Sequence, residues 1–103
     1  MQNKYEELLS EVIDILNRIR TTITPETDVV WTHYKNIREL TDALDNYITR
    51  ISEHDKTVFN AIALDFTPTG SFQELSISNG WGNQFIVMAT KFDRIHAQIC
   101  TYF

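Results

Sequence analysis

Residues 67 to 85 read TPTGSFQELSISNGWGNQF, and they hold all three glycines, one of the two prolines and one of the two tryptophans of the chain. Glycine adopts backbone conformations that are closed to other residues, and proline interrupts a helix. The rest of the sequence has helical periodicity, so this stretch is where the chain is forced to turn. We therefore expect it to organise the fold.

The start of a short helix is predicted inside this stretch. Thr67-Pro68-Thr69-Gly70 is a turn sequence. Ser71 and Glu74, which follow it, match a capping box, in which the serine oxygen accepts a backbone N–H and the glutamate reaches back to the cap. The sequence predicts a short helix from there to about Ser78.

The end of that helix is predicted by Asn79-Gly80-Trp81. The central glycine can take the left-handed conformation of a helix terminus, and the tryptophan would then pack back on Leu75 or Phe72. Gly82-Asn83 is predicted to cap the helix that follows.

Long helices are predicted on both sides of the stretch, because apolar residues recur there at alternating steps of three and four. The first helix is expected from about residue 3 to 21, and the last begins after Asn83. The apolar series are Tyr5, Leu9, Val12, Leu16, Ile19 and Ile23 in the first helix, and Phe85, Met88, Phe92, Ile95, Ile99 and Tyr102 in the last.

A second long helix is predicted after the break at Pro25, capped by Thr24 or Asp28 and running to about residue 53. Residues 55 to 66 are nearly all apolar, so periodicity does not distinguish a buried helix from a buried strand. We favour a helix capped by Asp55, since the chain offers no strand to pair with it.

These elements define an all-α fold, a single-domain helical bundle covering residues 1–103. It has two long antiparallel N-terminal helices, two short helices folded over one end, and a long C-terminal helix. The large core residues are expected to be Trp31, Phe59, Phe72, Trp81, Phe85 and Phe92. A chain of 103 residues with 43% hydrophobic content suits one core.

The composition predicts a cytoplasmic protein. Cys100 is the single cysteine, so no internal disulfide forms, and the chain has no Asn-x-Ser/Thr glycosylation signal. The N-terminus lacks the apolar run of a secretion signal, and the longest apolar run, residues 85–89, is too short to cross a bilayer. No membrane partner is expected.

The charge balance favours a basic partner. The chain has 14 acidic and 9 basic residues, for a net charge of -5. Residues 24–55 alone contain seven acidic and three basic residues. Nucleic-acid affinity depends on lysine and arginine contacts to phosphate, so the sequence argues against a nucleic-acid partner. It leaves association of the chain with itself open.

Two positions have side chains suited to chemistry. His96 and Cys100 lie four residues apart and share a helix face, but zinc needs three or four ligands, so we expect a buried thiol beside a structural histidine. Asp65 stands in an apolar run, where it either has a raised pKa suited to acid catalysis or accepts hydrogen bonds from the turn at 67–70. No catalytic residue, metal or cofactor is assigned.

We expect a small binding protein that acts by surface contact with a basic protein, such as an immunity protein or inhibitor that covers a toxin or enzyme. Acidic residues recur on the second helix, where they would raise association rates and select partners. The predicted contact residues are Glu39, Asp42, Asp45 and Glu53, with Trp31 or Tyr34 as an aromatic anchor.

Two other functions remain open. Residues 75–89 have part of the spacing of a helix-turn-helix, which would make the chain a DNA-binding regulator. A small-ligand-binding or acid-base enzyme bundle would need a pocket where Asp65, His96 and the 67–85 segment converge.

Overall fold

The computed structural model describes residues 3–103, and within that range it contains helices and no strand. The α-helices are α1 (Lys4–Thr21), α2 (Ile37–Ser52), α3 (Phe59–Phe66), α4 (Ser71–Ser78) and α5 (Gly82–Ile99). Two short 3-10 helices, Lys56–Val58 and Cys100–Tyr102, precede α3 and follow α5. The predicted all-α bundle is confirmed.

Helix α1 packs against both α2 and α5, and it runs antiparallel to each. At its start, Glu6 lies 2.8 Å from the imidazole of His54, which follows the end of α2. The ring of Tyr5 packs 5.3 Å from that of Tyr102, beyond the end of α5. The C-terminal ends of α2 and α5 therefore both lie beside the N-terminus of α1.

Aromatic stacking joins α3, α4 and α5. The ring of Phe66 on α3 stacks 4.2 Å from Phe92 of α5 and meets the edge of Phe72 of α4 at 5.1 Å. The predicted core residues Phe59, Phe72, Phe85 and Phe92 are all buried. Phe66, at 4% exposed, is a further central core residue that was not among those predicted.

The two tryptophans differ from the prediction. Trp81 is only half-buried, with its ring edge towards Phe85 at a centroid distance of 6.4 Å. Trp31 is 71% exposed, so its expected place in the core is wrong. The reason lies in the backbone, because Trp31 is in a loop and not in a helix with an inward face.

Helix α2 begins later than predicted. It starts at Ile37, where Asn36 is the N-cap and accepts the backbone N–H of Glu39 at 2.8 Å. Residues 22–36 form a loop in which Asp28 accepts the N–H of Val30 at 2.9 Å. Aspartate at such a position offers the backbone an alternative to the helix, so neither Thr24 nor Asp28 caps α2.

The glycine-rich segment forms the predicted helix end. Gly80 has a φ of +82°, and the N–H of Trp81 donates to the carbonyl of Ser76 at 2.9 Å. A second bond runs from Gly80 to Ile77 at 3.5 Å. This pair of bonds is a Schellman motif.

The predicted caps of α4 and α5 are wrong. Gly70 and Trp81 occupy the N-cap positions without side-chain hydrogen bonds, while Ser71 and Gly82 are the first helical residues. The Ser71 hydroxyl accepts the N–H of His33 at 3.0 Å, so a tertiary contact uses the oxygen that a capping box requires.

The segment 55–66 is helical, as predicted. Asp55 accepts the N–H of Thr57 at 3.0 Å and so caps the short 3-10 turn that leads into α3. No helix among residues 3–103 has an apolar stretch long enough to cross a bilayer.

Gly70→Ala is expected to lower the free energy of unfolding by about 1–3 kcal/mol, because the added methyl meets backbone that does not yield. A Cβ at residue 70 would contact the carbonyl oxygen of Leu64 and lie 2.6 Å from that of Asp65. Urea denaturation measures the effect.

Gly82→Ala is the matched control, since its Cβ would be 3.8 Å from Ile77, an ordinary contact. It should leave stability unchanged or raise it by up to about 1 kcal/mol, as alanine favours a helix over glycine. Equal stability of Gly70→Ala and the wild type would contradict the close backbone approach.

Candidate functional site

The carboxylate of Asp65 lies in the core, 2% exposed, and accepts three side-chain hydrogen bonds. Its Oδ2 atom accepts hydrogen bonds from the hydroxyl groups of Tyr34 and Tyr47, with O–O distances of 2.7 and 2.9 Å. Its Oδ1 atom is 2.8 Å from Nε2 of His33. We call His33, Tyr34, Tyr47 and Asp65 the Asp65 cluster.

The Asp65 cluster joins three parts of the fold. Asp65 belongs to α3, Tyr47 belongs to α2, and His33 and Tyr34 belong to the 22–36 loop. A buried carboxylate without partners is strongly unfavourable, whereas hydrogen bonds to a charged acceptor are short and strong. The 22–36 loop is therefore bound to the helices, because it supplies hydrogen-bond donors that the buried carboxylate requires.

The two tyrosines remain hydrogen-bond donors at neutral pH. Burial is the main cause that raises the pKa of Tyr47 to about 12. Burial also raises the pKa of Tyr34 far above its ordinary value, with further contributions from its bonds to Tyr47 and Asp65. Deprotonating either hydroxyl would place a second negative charge beside the carboxylate.

The hydrogen bonds that Asp65 was expected to accept from the turn at 67–70 are not formed. The turn at 67–70 is closed without it, since Gly70 donates to the carbonyl of Thr67 at 2.8 Å and the Thr67 hydroxyl donates to Leu64 at 2.7 Å. The carboxylate instead accepts hydrogen bonds from three aromatic side chains and is 2% exposed. His96 is not among its hydrogen-bond partners, and its ring stacks on Phe92 at 5.5 Å.

His33 is the member of the Asp65 cluster that reaches solvent, with 64% of its side chain exposed. A carboxylate that orients an imidazole also occurs in catalytic triads, where the imidazole in turn activates a nucleophile. Among the described residues the ring makes no such contact. The nearby Ser71 hydroxyl accepts the backbone N–H of His33 instead. The hydrogen bond between His33 and Asp65 therefore acts as an anchor for the 22–36 loop.

A second anchor holds the same loop at Asp28. The backbone N–H of Asp28 donates to Oδ1 of Asn79 at 2.8 Å, and Nδ2 of Asn79 donates back to the carbonyl of Asp28 at 2.9 Å. Between the two anchors, Val30 is 75% exposed and Trp31 is 71% exposed. We call residues 28–33 the Trp31 loop. It presents two large apolar side chains to solvent from a backbone that is bonded at both ends.

The predicted acidic contact residues all lie on the exposed side of α2 or at its end. Asp45 accepts the Nε proton of Arg20 at 3.1 Å, and Asp42 lies 3.9 Å from Nε of Arg38. Glu39 and Glu53 form no ion pair within residues 3–103.

Tyr34, one of the two predicted aromatic anchors, does not reach the surface. It is 7% exposed, and its hydroxyl donates to Asp65. Trp31 is therefore the only one of the pair that a partner can contact. The sequence identified both by residue type, but only the fold separates the buried ring from the exposed one.

The pair at the end of α5 has no metal-binding partner set. Sγ of Cys100 is 3.6 Å from Nε2 of His96, but the thiol is exposed and not buried as expected. Ile95 and Ile99 take the core face at this end of α5, and Cys100, the next residue around the helix, faces away from it. Residues 3–103 contain no group of three side chains placed to hold a metal ion.

No family model, curated protein or solved structure matches this chain.

Asp65→Asn is expected to lower the free energy of unfolding by about 1–3 kcal/mol, because a neutral amide replaces a charged acceptor of buried donors. Urea denaturation measures it, and hydrogen exchange at the N–H of His33 should accelerate as the loop loosens. Asp93→Asn, an exposed site on α5, is the control and should be neutral. A stable Asp65→Asn protein with unchanged exchange would contradict the anchoring role.

The Asp65 cluster predicts a loss of stability at alkaline pH. The pKa of Tyr47 rises from 10.0 to about 12 on folding, so its contribution is full below pH 10 and is lost as the pH approaches 12. Unfolding by urea across this range measures the decline. Tyr47→Phe should show a weaker decline, while an equally steep decline in that variant would assign it to other groups.

Proposed function

We propose that this chain is a small acidic binding protein that contacts a basic macromolecular partner, as an immunity protein or inhibitor covers a toxin or enzyme. One observation carries the proposal: the Trp31 loop exposes a tryptophan from a backbone held by two anchors. A cytoplasmic location suits the single free thiol of Cys100.

The anchors matter because they reduce the entropy lost on binding. Tryptophan is enriched among the few interface residues that supply most of the binding energy. A loop that is already ordered loses less conformational freedom when a partner binds. His33 and Asn79 bond the Trp31 loop to the helical body, so Trp31 is supported as a preorganised contact.

Acidic groups near this contact favour a basic partner. Glu26 and Asp28 are exposed in the 22–36 loop, and Glu39 follows in the first turn of α2. The pairing of Asp42 and Asp45 with arginines is between exposed groups, which stabilises little and leaves them open to a stronger partner. Such charges accelerate association and discriminate against acidic surfaces.

The DNA-binding alternative has weaker support. Helices α4 and α5 with the turn between them keep helix-turn-helix order. The first exposed positions of α5, however, are Asn83, Gln84, Ile86 and Val87, and cations appear only at Lys91 and Arg94. Phosphate contacts would be few in a protein of net charge -5. The enzyme alternative also has weaker support, since Asp65 is 2% exposed and its three side-chain hydrogen bonds come from His33, Tyr34 and Tyr47 and not from His96.

Trp31→Ala is expected to weaken partner binding by about thirtyfold, the loss typical of a central aromatic contact. The immobilised protein would capture its partner from nuclease-treated extract of the native host, and the affinity would then be measured with purified components. Asp42→Lys combined with Glu53→Lys should slow association, and the resulting loss of affinity should be larger in low salt than in high salt.

Leu64→Ala is the matched control, because Leu64 is a large apolar side chain that is 68% exposed on α3. It should bind as the wild type does. Equal binding by Trp31→Ala and the wild type, or a captured partner whose affinity is unchanged by the lysine substitutions, would overturn the proposal.

A further inference from the structure

A groove lies between α1 and α5, on a different part of the fold from the Trp31 loop. It consists of two adjoining recesses of about 450 and 330 Å³, which share Arg18, Val87 and Met88. Trp81 and Thr22 line one end, and Lys91 lines the other. We call this the α1–α5 groove.

The exposed side of α5 beside this groove is apolar. Val87 is 70% exposed and Ile86 is 63% exposed, although both belong to a helix with a well-formed core face. Ile77 of α4, 60% exposed, borders a further recess together with Ile86. Adjacent exposed aliphatic side chains of this kind indicate an interaction surface more than isolated ones do.

Three cations lie beside this apolar surface. Arg18 and Lys91 line the groove, and Arg94 continues the line along α5 beside Val87. None of the three forms an ion pair with another residue in the range 3–103. Asp14 is the one acidic residue that lines the groove. An acidic protein therefore places three cations without an ion pair among residues 3–103 beside one apolar surface.

We infer that the α1–α5 groove binds an amphipathic helix of a partner protein that carries carboxylates beside its apolar face. Residues 81 to 91 span about 15 Å of helix, which matches about three turns of a docked helix. An amphipathic helix in a groove is a common mode of recognition. Its apolar residues would cover Val87 and Met88, and its carboxylates would meet Arg18, Lys91 and Arg94.

Other occupants fit less well. Two copies joined symmetrically through this surface would bring the same three cations of each copy together, which costs energy. Nucleic acid is held mainly through its phosphates, and the centre of this surface is aliphatic. The inference uses none of residues 28–33, so it stands or falls independently of the Trp31 loop.

The test uses Trp31→Phe protein, in which Trp81, at the end of the groove, is the only tryptophan left to report binding by fluorescence. The probes are two designed helical peptides with the same leucine face, one flanked by glutamates and the other by lysines. The glutamate peptide should bind at least about tenfold more tightly than the lysine peptide.

Variants then locate the binding. Val87→Asp should abolish it, and Arg18→Glu with Lys91→Glu should reverse the preference between the peptides. Lys56→Glu is the charge control, an exposed cation away from the groove, and should keep the preference. Circular dichroism confirms that each variant is folded.

Equal affinity for the two peptides, or no binding by either, would overturn the inference. Sedimentation that shows a dimer lost in Val87→Asp would assign the surface to a second copy of the chain. Salt-sensitive binding of duplex DNA, lost in Lys91→Glu, would assign it to nucleic acid. Each of these outcomes replaces the acidic helix as occupant.

Discussion

Much of the arrangement of this protein depends on the carboxylate of Asp65, which is buried and needs hydrogen-bond donors that its own helix does not provide. Tyr47 comes from α2, and His33 and Tyr34 come from the 22–36 loop. An unpaired carboxylate in the core would raise the free energy of the folded state by more than most single contacts lower it. The hydrogen bonds to Asp65 therefore fix the positions of the loop, α2 and α3 relative to one another. The apolar faces of the helices alone do not impose that relation.

The 22–36 loop depends on hydrogen bonds of this kind for its order. A connection of fifteen residues without regular structure, from 22 to 36, is long for a small helical bundle. Here its polar backbone bonds to side chains at distant positions, including Ser71 and Asn79 on or after α4. Those bonds allow an exposed Trp31 to sit on an ordered backbone, so a buried polar group supports a feature of the surface.

The surface has two regions of opposite character. The Trp31 loop and the outer side of α2 combine a large aromatic ring with carboxylates, while the α1–α5 groove combines aliphatic side chains with Arg18, Lys91 and Arg94. Both regions are available to other molecules, because their large apolar side chains are exposed. Under the two proposals, the opposite charges of these regions would favour partners of opposite charge.

The sequence predicted what local chemistry decides. Helix periodicity, the left-handed Gly80 and the Asp55 cap depend on neighbours within a few residues, and all three are present in the structure. His54, also in the left-handed region with a φ of 62°, gave no such signal. It ends α2 in the position usually taken by glycine, and contacts with Glu6 and Tyr5 across the bundle accompany it.

The tertiary structure decided how polar side chains with more than one possible partner are used. The sequence around Ser71 matches a helix cap. Its hydroxyl oxygen instead accepts a hydrogen bond from the backbone N–H of His33, thirty-eight positions away in the chain. Asp65 was visible as an acid in an apolar run, but its three donors come from residues that only folding brings near. Likewise, Trp31 and Tyr34 are aromatic residues of one loop, and long-range hydrogen bonding determines that Tyr34 is buried while Trp31 meets solvent.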